Sequence, residues 1–372
     1  MTRKLLALTL SLTLSLALTA GLAACSTQAP AEDTAPPEST APAAETQTPA
    51  AETAVPYQTV HLGLLSGPTG MGAAKMISDS DAAYAQIEDG TYDPSNGVLE
   101  HYEVTLGSDP ANDIVPRLTN GELDIAAIPT NLAATLYNRT DGGIKLLALN
   151  TLGVLHILEN GDTVNSLADL EGRTLYATGQ GSNPEYVLNY LLETNGLDPA
   201  ADVDIQWLAS EELTARMASG DIDLCMLPVP AATTVMMQNS DVRDAIDLND
   251  AWTESGAQGT FTMGCLVART EWLEDNSELV PGILEEYAAS IDYANSNPEE
   301  AAALIEQYGI VPKAAVAQAA IPQANMVCVT GEDMKGIADY YQVLFDADPT
   351  SIGGAIPGVT AEAVGRSPAP RP

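Results

Sequence analysis

Pro116-Arg117-Leu118-Thr119-Asn120-Gly121-Glu122-Leu123-Asp124-Ile125-Ala126-Ala127-Ile128-Pro129-Thr130-Asn131-Leu132-Ala133-Ala134-Thr135-Leu136 is answered by ARMASGDIDLCMLPVPAATTV at 215–235. Arg117, Gly121, Asp124, Pro129, Ala133 and Thr135 return as Arg216, Gly220, Asp223, Pro228, Ala232 and Thr234, all 99 residues later. A period of this length fits two domain-sized units rather than a solenoid. Each copy reads as a helix end, a Gly stop, a strand of apolar residues and a Pro-started helix. The chain therefore holds a βα unit of an α/β sheet once in each of two lobes.

Outward from the repeat, the same strand, turn and helix grammar recurs. Strands are expected at Gln58–Leu65, Glu100–Leu106, Leu123–Ile128 and Ile144–Leu149, with helices over Ala73–Ile87 and Asn112–Asn120 between them. The second unit runs through strands at Thr174–Ala177 and Asp202–Trp207 and helices at Pro184–Asn195 and Glu211–Ser219. Alternating strands and helices imply mainly parallel sheets covered on both faces. After an expected strand at Thr262–Ala268 the chain is helical to Phe345, and this tail is expected to pack back on the first unit. The chain then crosses between units twice, near Asn150–His156 and Phe261–Cys265, which makes a hinge.

The start of the chain sets the compartment. Arg3 and Lys4 precede an apolar and small-residue run, Leu5 to Leu22, that ends in Leu22-Ala23-Ala24-Cys25. A basic start, an apolar middle and small residues before a cut make a secretory leader. Leu-Ala-Ala-Cys resembles the bacterial lipobox, which implies a palmitate-bearing Cys25 and attachment at the outer face of the cell membrane without a span. An ordinary leader with an incidental Cys is the alternative. Ser26 to Val55 is Ala, Pro, Thr and Glu with little to bury, so it is expected to be a disordered tether. The expected organisation is leader 1–24, lipid-bearing tether 25–56, lobe one 57–152 with 263–372, and lobe two 153–262.

The formal net charge is −37, from 51 acidic and 14 basic residues, and loss of Arg3 and Lys4 makes it more negative. Nucleic acid is excluded as a partner, because phosphate binding needs a basic face. A small anion is not excluded, since backbone donors at helix starts act locally. Cys225 and Cys265 lie in apolar strands and read as core, a disulfide among Cys225, Cys265 and Cys328 has no assigned pairing, and no spacing suggests a metal. His61, His101 and His156 are scattered, and no Gly-x-Ser-x-Gly or His-Glu-x-x-His is present, so neither an enzyme nor a cofactor is expected.

Three passages carry a family likeness: Ser166-Leu167-Ala168-Asp169-Leu170-Glu171-Gly172, Gly181-Ser182-Asn183-Pro184-Glu185-Tyr186-Val187-Leu188, and Gly196-Leu197-Asp198-Pro199-Ala200-Ala201-Asp202-Val203. Together with the two Gly-x-x-Asp strands they resemble the nitrate, sulfonate, bicarbonate and thiamine-precursor group of ABC-transporter substrate-binding lipoproteins, from about Tyr57 to Gly354. The resemblance implies a two-lobed type 2 periplasmic-binding-protein fold whose lobes close around a small anionic or polar organic, sulfonate-like ligand. It also implies delivery to an ABC permease and its ATPase by a monomer. A ligand-sensing lipoprotein working through a membrane receptor and a thiamine-precursor-binding protein are the alternatives. The cysteine-rich motif of the related thiamine-pyrimidine synthases is absent from this sequence.

In open α/β sheets, ligands collect beyond the carboxyl ends of strands. Four turns meet that description. The first, Gly67–Gly72, offers glycines for close backbone approach, the Thr69 hydroxyl and an adaptable Met71, so Thr69, Gly70, Met71 and Gly72 are candidates. Gly181-Ser182-Asn183-Pro184 opens a helix whose free N–H groups suit an anion, which makes Gly181, Ser182 and Asn183 candidates. Thr130 and Asn131 follow the first repeated strand, and Val229 follows the second, so the cleft is expected to be polar on one lobe and more apolar on the other. Asp124, Asp223, Arg117 and Arg216 are read as scaffold.

Overall fold

The computed structural model describes Tyr57–Gly358; the expected leader, Cys25 and the whole expected tether lie outside the described residues, as does the end of the chain. The first half runs β1 (Tyr57–Leu65), α1 (Pro68–Met71), α2 (Ala74–Glu88), β2 (Leu99–Gly107), α3 (Val115–Thr119), β3 (Ile125–Pro129), α4 (Thr130–Arg139) and β4 (Ile144–Leu152). The middle runs β5 (Leu155–Asn160), β6 (Thr174–Ala177), α5 (Asn183–Thr194), β7 (Asp204–Trp207), α6 (Ser210–Ser219), β8 (Leu224–Pro228), α7 (Ala231–Gln238), β9 (Val242–Asp247) and α8 (Leu248–Glu254). The chain ends in β10 (Thr262–Arg269), α9 (Thr270–Asn276), α10 (Val280–Ser296), α11 (Pro298–Gln307), α12 (Ala314–Ala320), β11 (Met326–Val329) and α13 (Gly336–Ala347).

These strands form two sheets, ordered β11-β4-β10-β3-β1-β2 and β7-β6-β8-β5-β9. β1 pairs in parallel with β2 and β3, and β6 in parallel with β7 and β8. One strand runs against the rest inside each sheet: β10 between β3 and β4, and β5 between β8 and β9. β11 adds a further antiparallel edge to the first. The repeated passages sit in equivalent places, β3–α4 in one sheet and β8–α7 in the other, and both stop glycines take positive φ, 87° at Gly121 and 77° at Gly220.

β5, β9 and β11 are not foreshadowed by the alternation read from the sequence. β9 (Val-Arg-Asp-Ala-Ile-Asp) is an edge strand with mostly half-buried residues, so its apolar pattern is diluted. The helical tail also divides. α10, α11 and α12 cover the first sheet through a core that includes Ile283, Tyr287, Ile291 and Ile305. α13 instead packs against α5, and Ile337, Tyr340 and Leu344 belong to an apolar cluster that spans both sheets. A tail of one expected destination therefore has two.

The repeated aspartates also part company. Asp124 is buried, accepts from the backbone N–H and Nδ1 of His61 at 2.9 Å each, and meets Arg269 Nη2 at 3.2 Å. Asp223 is exposed and contributes its carbonyl to the Asn160 N–H at 2.8 Å. Both roles are structural. Cys225, Cys265 and Cys328 are free thiols, with burial raising their pKa to about 12, about 12 and about 11, the last helped by the charge of Asp292.

The chain leaves the first sheet at Leu152 and enters the second at Leu155, and every residue of the connector is tied. Leu152 N–H donates to Asn325 O at 3.0 Å, Asn325 Nδ2 donates to Gly153 O at 2.5 Å, and Val229 N–H donates to Val154 O at 2.9 Å. The second crossing lies against the first: a Cβ on Gly153 would collide with the Phe261 ring and come within 2.9 Å of Asn249 Cβ. Gly153→Ala should therefore destabilise the protein by about 1–3 kcal/mol, the usual cost of overpacking a tight site. Chemical denaturation of the two proteins measures it.

Just past this connector, His156 is 1% exposed and its Nδ1 lies 2.9 Å from Asp244 Oδ2. Burial alone lowers its pKa, but the hydrogen bond and charge of Asp244, with the charges of Asp247 and Asp250, outweigh it and leave the pKa raised. A raised folded-state pKa stabilises the fold fully below the unfolded value of about 6.5, and the gain disappears as pH rises through the folded value. The melting-temperature advantage of the native chain over His156→Gln should accordingly shrink from pH 6 to pH 9.

Candidate functional site

The ends of four strands and the starts of two helices converge on a chain of buried, uncharged polar groups. β4 is apolar through Leu147-Ala148-Leu149 and then presents Asn150 and Thr151, both about 1% exposed. Asn150 Nδ2 donates to Thr69 O at 3.2 Å and to the Tyr287 hydroxyl at 3.0 Å, while its Oδ1 accepts from Thr151 Oγ1 at 3.1 Å. Thr262, at the start of β10, donates its hydroxyl to Thr151 O at 3.0 Å or Gly264 O at 3.1 Å and stands 3.3 Å from Thr130 Oγ1. Gly264 must lack a side chain, since a Cβ there would sit 2.6 Å from Asn150 Oδ1.

The second sheet reaches this chain through Asn183, the first residue of α5. Its Nδ2 lies 3.4 Å from Thr262 O and 3.6 Å from Met263 Sδ, and its Oδ1 accepts from the Tyr340 hydroxyl at 3.0 Å. The next residue of α13, Tyr341, donates to Thr130 O at 3.1 Å. Burial pushes the Tyr287, Tyr340 and Tyr341 pKa values far up, so all three phenols stay neutral and keep their protons to donate. None of these groups is charged. Buried polar groups of this kind are satisfied by one another or by what lies between them.

Of the residues singled out from sequence, Thr69, Thr130 and Asn183 take part in this chain. Met71 is fully buried in the first-sheet core, and the glycines beside it are explained by protein neighbours: a Cβ on Gly70 would strike Leu65 O, and one on Gly72 would lie 2.6 Å from Ile291 Cγ1. Gly181 is exposed, with its N–H 2.5 Å from Glu185 Oε2, so a carboxylate of the chain itself already takes the donor offered there. The Ser182 hydroxyl turns back to Gly179 O at 2.7 Å. Asn131 is half-buried at the surface of α4, and Val229 is 1% exposed and held at the connector. The repeat diverges here: α4 begins at Thr130, whereas α7 begins only at Ala231, two positions later in the shared register.

Asn150, Thr151, Thr262, Tyr287, Tyr340 and Tyr341 were not singled out from sequence. A polar pair closing an apolar strand just before a glycine, Asn150-Thr151-Leu152-Gly153, is the one signal that could have pointed to the first two. The tyrosines lie in helices and carry no local mark. Elsewhere, a cavity of about 450 Å³ lies between α5 and β7, lined by Glu185, Asn189, Asp204, Ile205 and Trp207, away from the buried chain. Among the described residues no cluster of His, Cys, Asp or Glu could hold a metal ion, and no helix is long and apolar enough to cross a membrane.

Two sheets, each with a reversed strand in its interior, joined by two crossings beside a polar seam, define a type 2 periplasmic-binding-protein fold. The chain belongs to the NMT1/THI5-like family, whose model matches residues 109–301. Its fold is similar to an ABC transporter protein of Parabacteroides distasonis (20% identity, TM-score 0.64, covering 84% of this chain and 99% of that one). It is also similar to the periplasmic aliphatic sulphonate-binding protein SsuA of Escherichia coli (15%, 0.60, 80% and 96%). The alkanesulfonate-binding protein SsuA of Xanthomonas axonopodis pv. citri, bound to MOPS, is a third (13%, 0.56, 82% and 97%). At these identities the likeness is one of fold. No curated protein sequence matches the chain significantly.

Thr262 is the junction of the buried chain, touching three acceptors with one hydroxyl. Thr262→Val keeps the shape and strands those partners, so it should lower stability by about 1–3 kcal/mol, measured by urea denaturation.

Proposed function

We propose that this chain is a lipid-anchored substrate-binding protein of an ABC importer. It closes lobe one (57–152 with 263–372) and lobe two (153–262) around a small polar organic ligand with a sulfonate-like group, and hands it to a permease driven by its ATPase. Cys25 would carry the lipid and hold a monomer at the outer face of the cell membrane. The observation that carries this reading is the buried, uncharged chain from Tyr287 through Asn150, Thr151 and Thr262 to Asn183, which joins the two sheets where the strands end. Thr69, Thr130 and Asn183 are its ligand-facing members in this reading. Gly70, Met71, Gly72 and Val229 shape the wall behind them, and Asn131, Gly181 and Ser182 rim the entrance.

The binding of alkanesulfonates by structural neighbours supports a sulfonate. Hydroxyl and amide donors suit an oxyanion without any cationic side chain. The same neutrality favours a second reading, a neutral heteroaromatic of the thiamine-precursor kind. Closure of a hinge over either ligand changes the surface offered to the permease, which couples binding to transport.

A thermal-shift panel on the leaderless chain separates the two, with ethanesulfonate, nitrate, bicarbonate, a hydroxymethylpyrimidine and small amines as probes. A ligand at 100 times its Kd adds about 2.7 kcal/mol of stability. Ethanesulfonate should raise the melting temperature; a rise with the pyrimidine alone transfers the assignment to the second reading, and no rise with either removes both.

A further inference from the structure

We infer that Tyr340 is a positioning residue of the ligand site: its phenol fixes the Asn183 amide so that the second lobe offers the ligand N–H rather than C=O. The inference rests on the cleft being the ligand site, as proposed above. Which end of the Asn183 amide points where follows from chemistry. Thr262 O is a carbonyl and can only accept, so the Asn183 atom 3.4 Å away is the NH2 group. Its oxygen is then the atom that takes the Tyr340 proton at 3.0 Å.

Tyr340 is itself held on several sides. Its ring lies 5.5 Å from Trp252 and 6.1 Å from Phe261. Gly259 leaves its backbone room, since a Cβ at 259 would come within 2.5 Å of Tyr340 N. Tyr341 ties the same turn of α13 to Thr130 O at the start of α4. Two adjacent tyrosines thus anchor one helix to the start of α4 and the start of α5 at once. The amide is aligned from outside the turn that carries it.

The consequence is a bias in what the cleft offers. Of the two Asn183 NH2 protons, one faces Thr262 O and the other faces Met263 Sδ at 3.6 Å, a weak acceptor. At the far end of the chain, the Tyr287 hydroxyl accepts from Asn150, and its own proton has no acceptor among the described residues. Both ends of an uncharged seam therefore offer hydrogens. A ligand presenting acceptor oxygens or ring nitrogens fits, whereas an ammonium or a primary amide NH2 meets donor against donor.

The test uses the full leaderless chain labelled with 15N-asparagine, with the Asn183 NH2 pair assigned by its loss in Asn183→Asp. In Tyr340→Phe that pair should move and exchange with solvent at least about 5-fold faster, the factor set by one lost hydrogen bond. Tyr341→Phe should leave it in place. Should Tyr340→Phe fold poorly, 3-fluorotyrosine at 340 keeps the ring and strengthens the donor, and must shift the same pair. An Asn183 pair unmoved in folded Tyr340→Phe, or by the fluorinated ring, overturns the inference. Calorimetry with ethanesulfonate is run in parallel, and Tyr340→Phe should weaken it about 5-fold. No ethanesulfonate binding to the native chain, with the Asn183 shift intact, fails the ligand reading and leaves the positioning role standing.

Discussion

The structure depends on a three-residue passage between sheets. A chain that builds two sheets must pass from one to the other through an apolar interior, and the crossing backbone needs partners for its N–H and C=O groups. Leu152, Gly153 and Val154 find them in Asn325 and Val229. Gly153 is small because the second crossing, at Phe261, lies on top of it. From this point the order of both sheets follows: β4 ends at the connector, β5 starts from it in the reverse sense, and β10 returns to run against β3 and β4. So short and so fully bonded a passage fixes where the second sheet begins relative to the end of β4.

Much of this plan is written in the duplicated passage. Arg, Gly, Asp and Pro recur at fixed spacing because a helix stop, a buried strand and a helix start need those residues in that order, so the βα unit of each sheet was legible. What the copies do after the strand was legible only as a contrast. Thr130-Asn131 against Val229-Pro230 marks where one helix starts at once and the other is delayed to Ala231. β5, β9 and β11 were not legible, because reversed and edge strands are defined by neighbours distant in sequence rather than by their own pattern. The same holds for Tyr287, Tyr340 and Tyr341, whose hydroxyls meet partners on the order of a hundred residues away or more; nothing local distinguishes such a tyrosine from one packed for its ring alone.

A strongly acidic chain can still keep a buried seam of uncharged hydrogen-bonding groups. Net charge acts over the whole surface and is screened by salt, whereas hydrogen-bond donors in a dry seam act over a few ångströms. The acidic groups are kept out of the seam: Glu185 is spent on the Gly181 N–H, and Asp124 on His61 and Arg269. A carboxylate at the rim of α5 gives that helix start an internal counter-charge, so the donor that faces inward is the side-chain amide of Asn183 instead of bare backbone.

The three described free thiols bear on how the proposed closure can be watched. Cys225, Cys265 and Cys328 are held protonated, and the thiolate is the form that alkylating dyes attack. A cysteine introduced on an exposed position of each half, such as Asp223 and Glu122, would react with maleimide far ahead of the native three. Among the described residues the native thiols are in effect chemically silent. With Cys25 left out, residues Tyr57–Gly358 can serve as the frame of a two-colour fluorescent reporter that reads whether the two halves open and close.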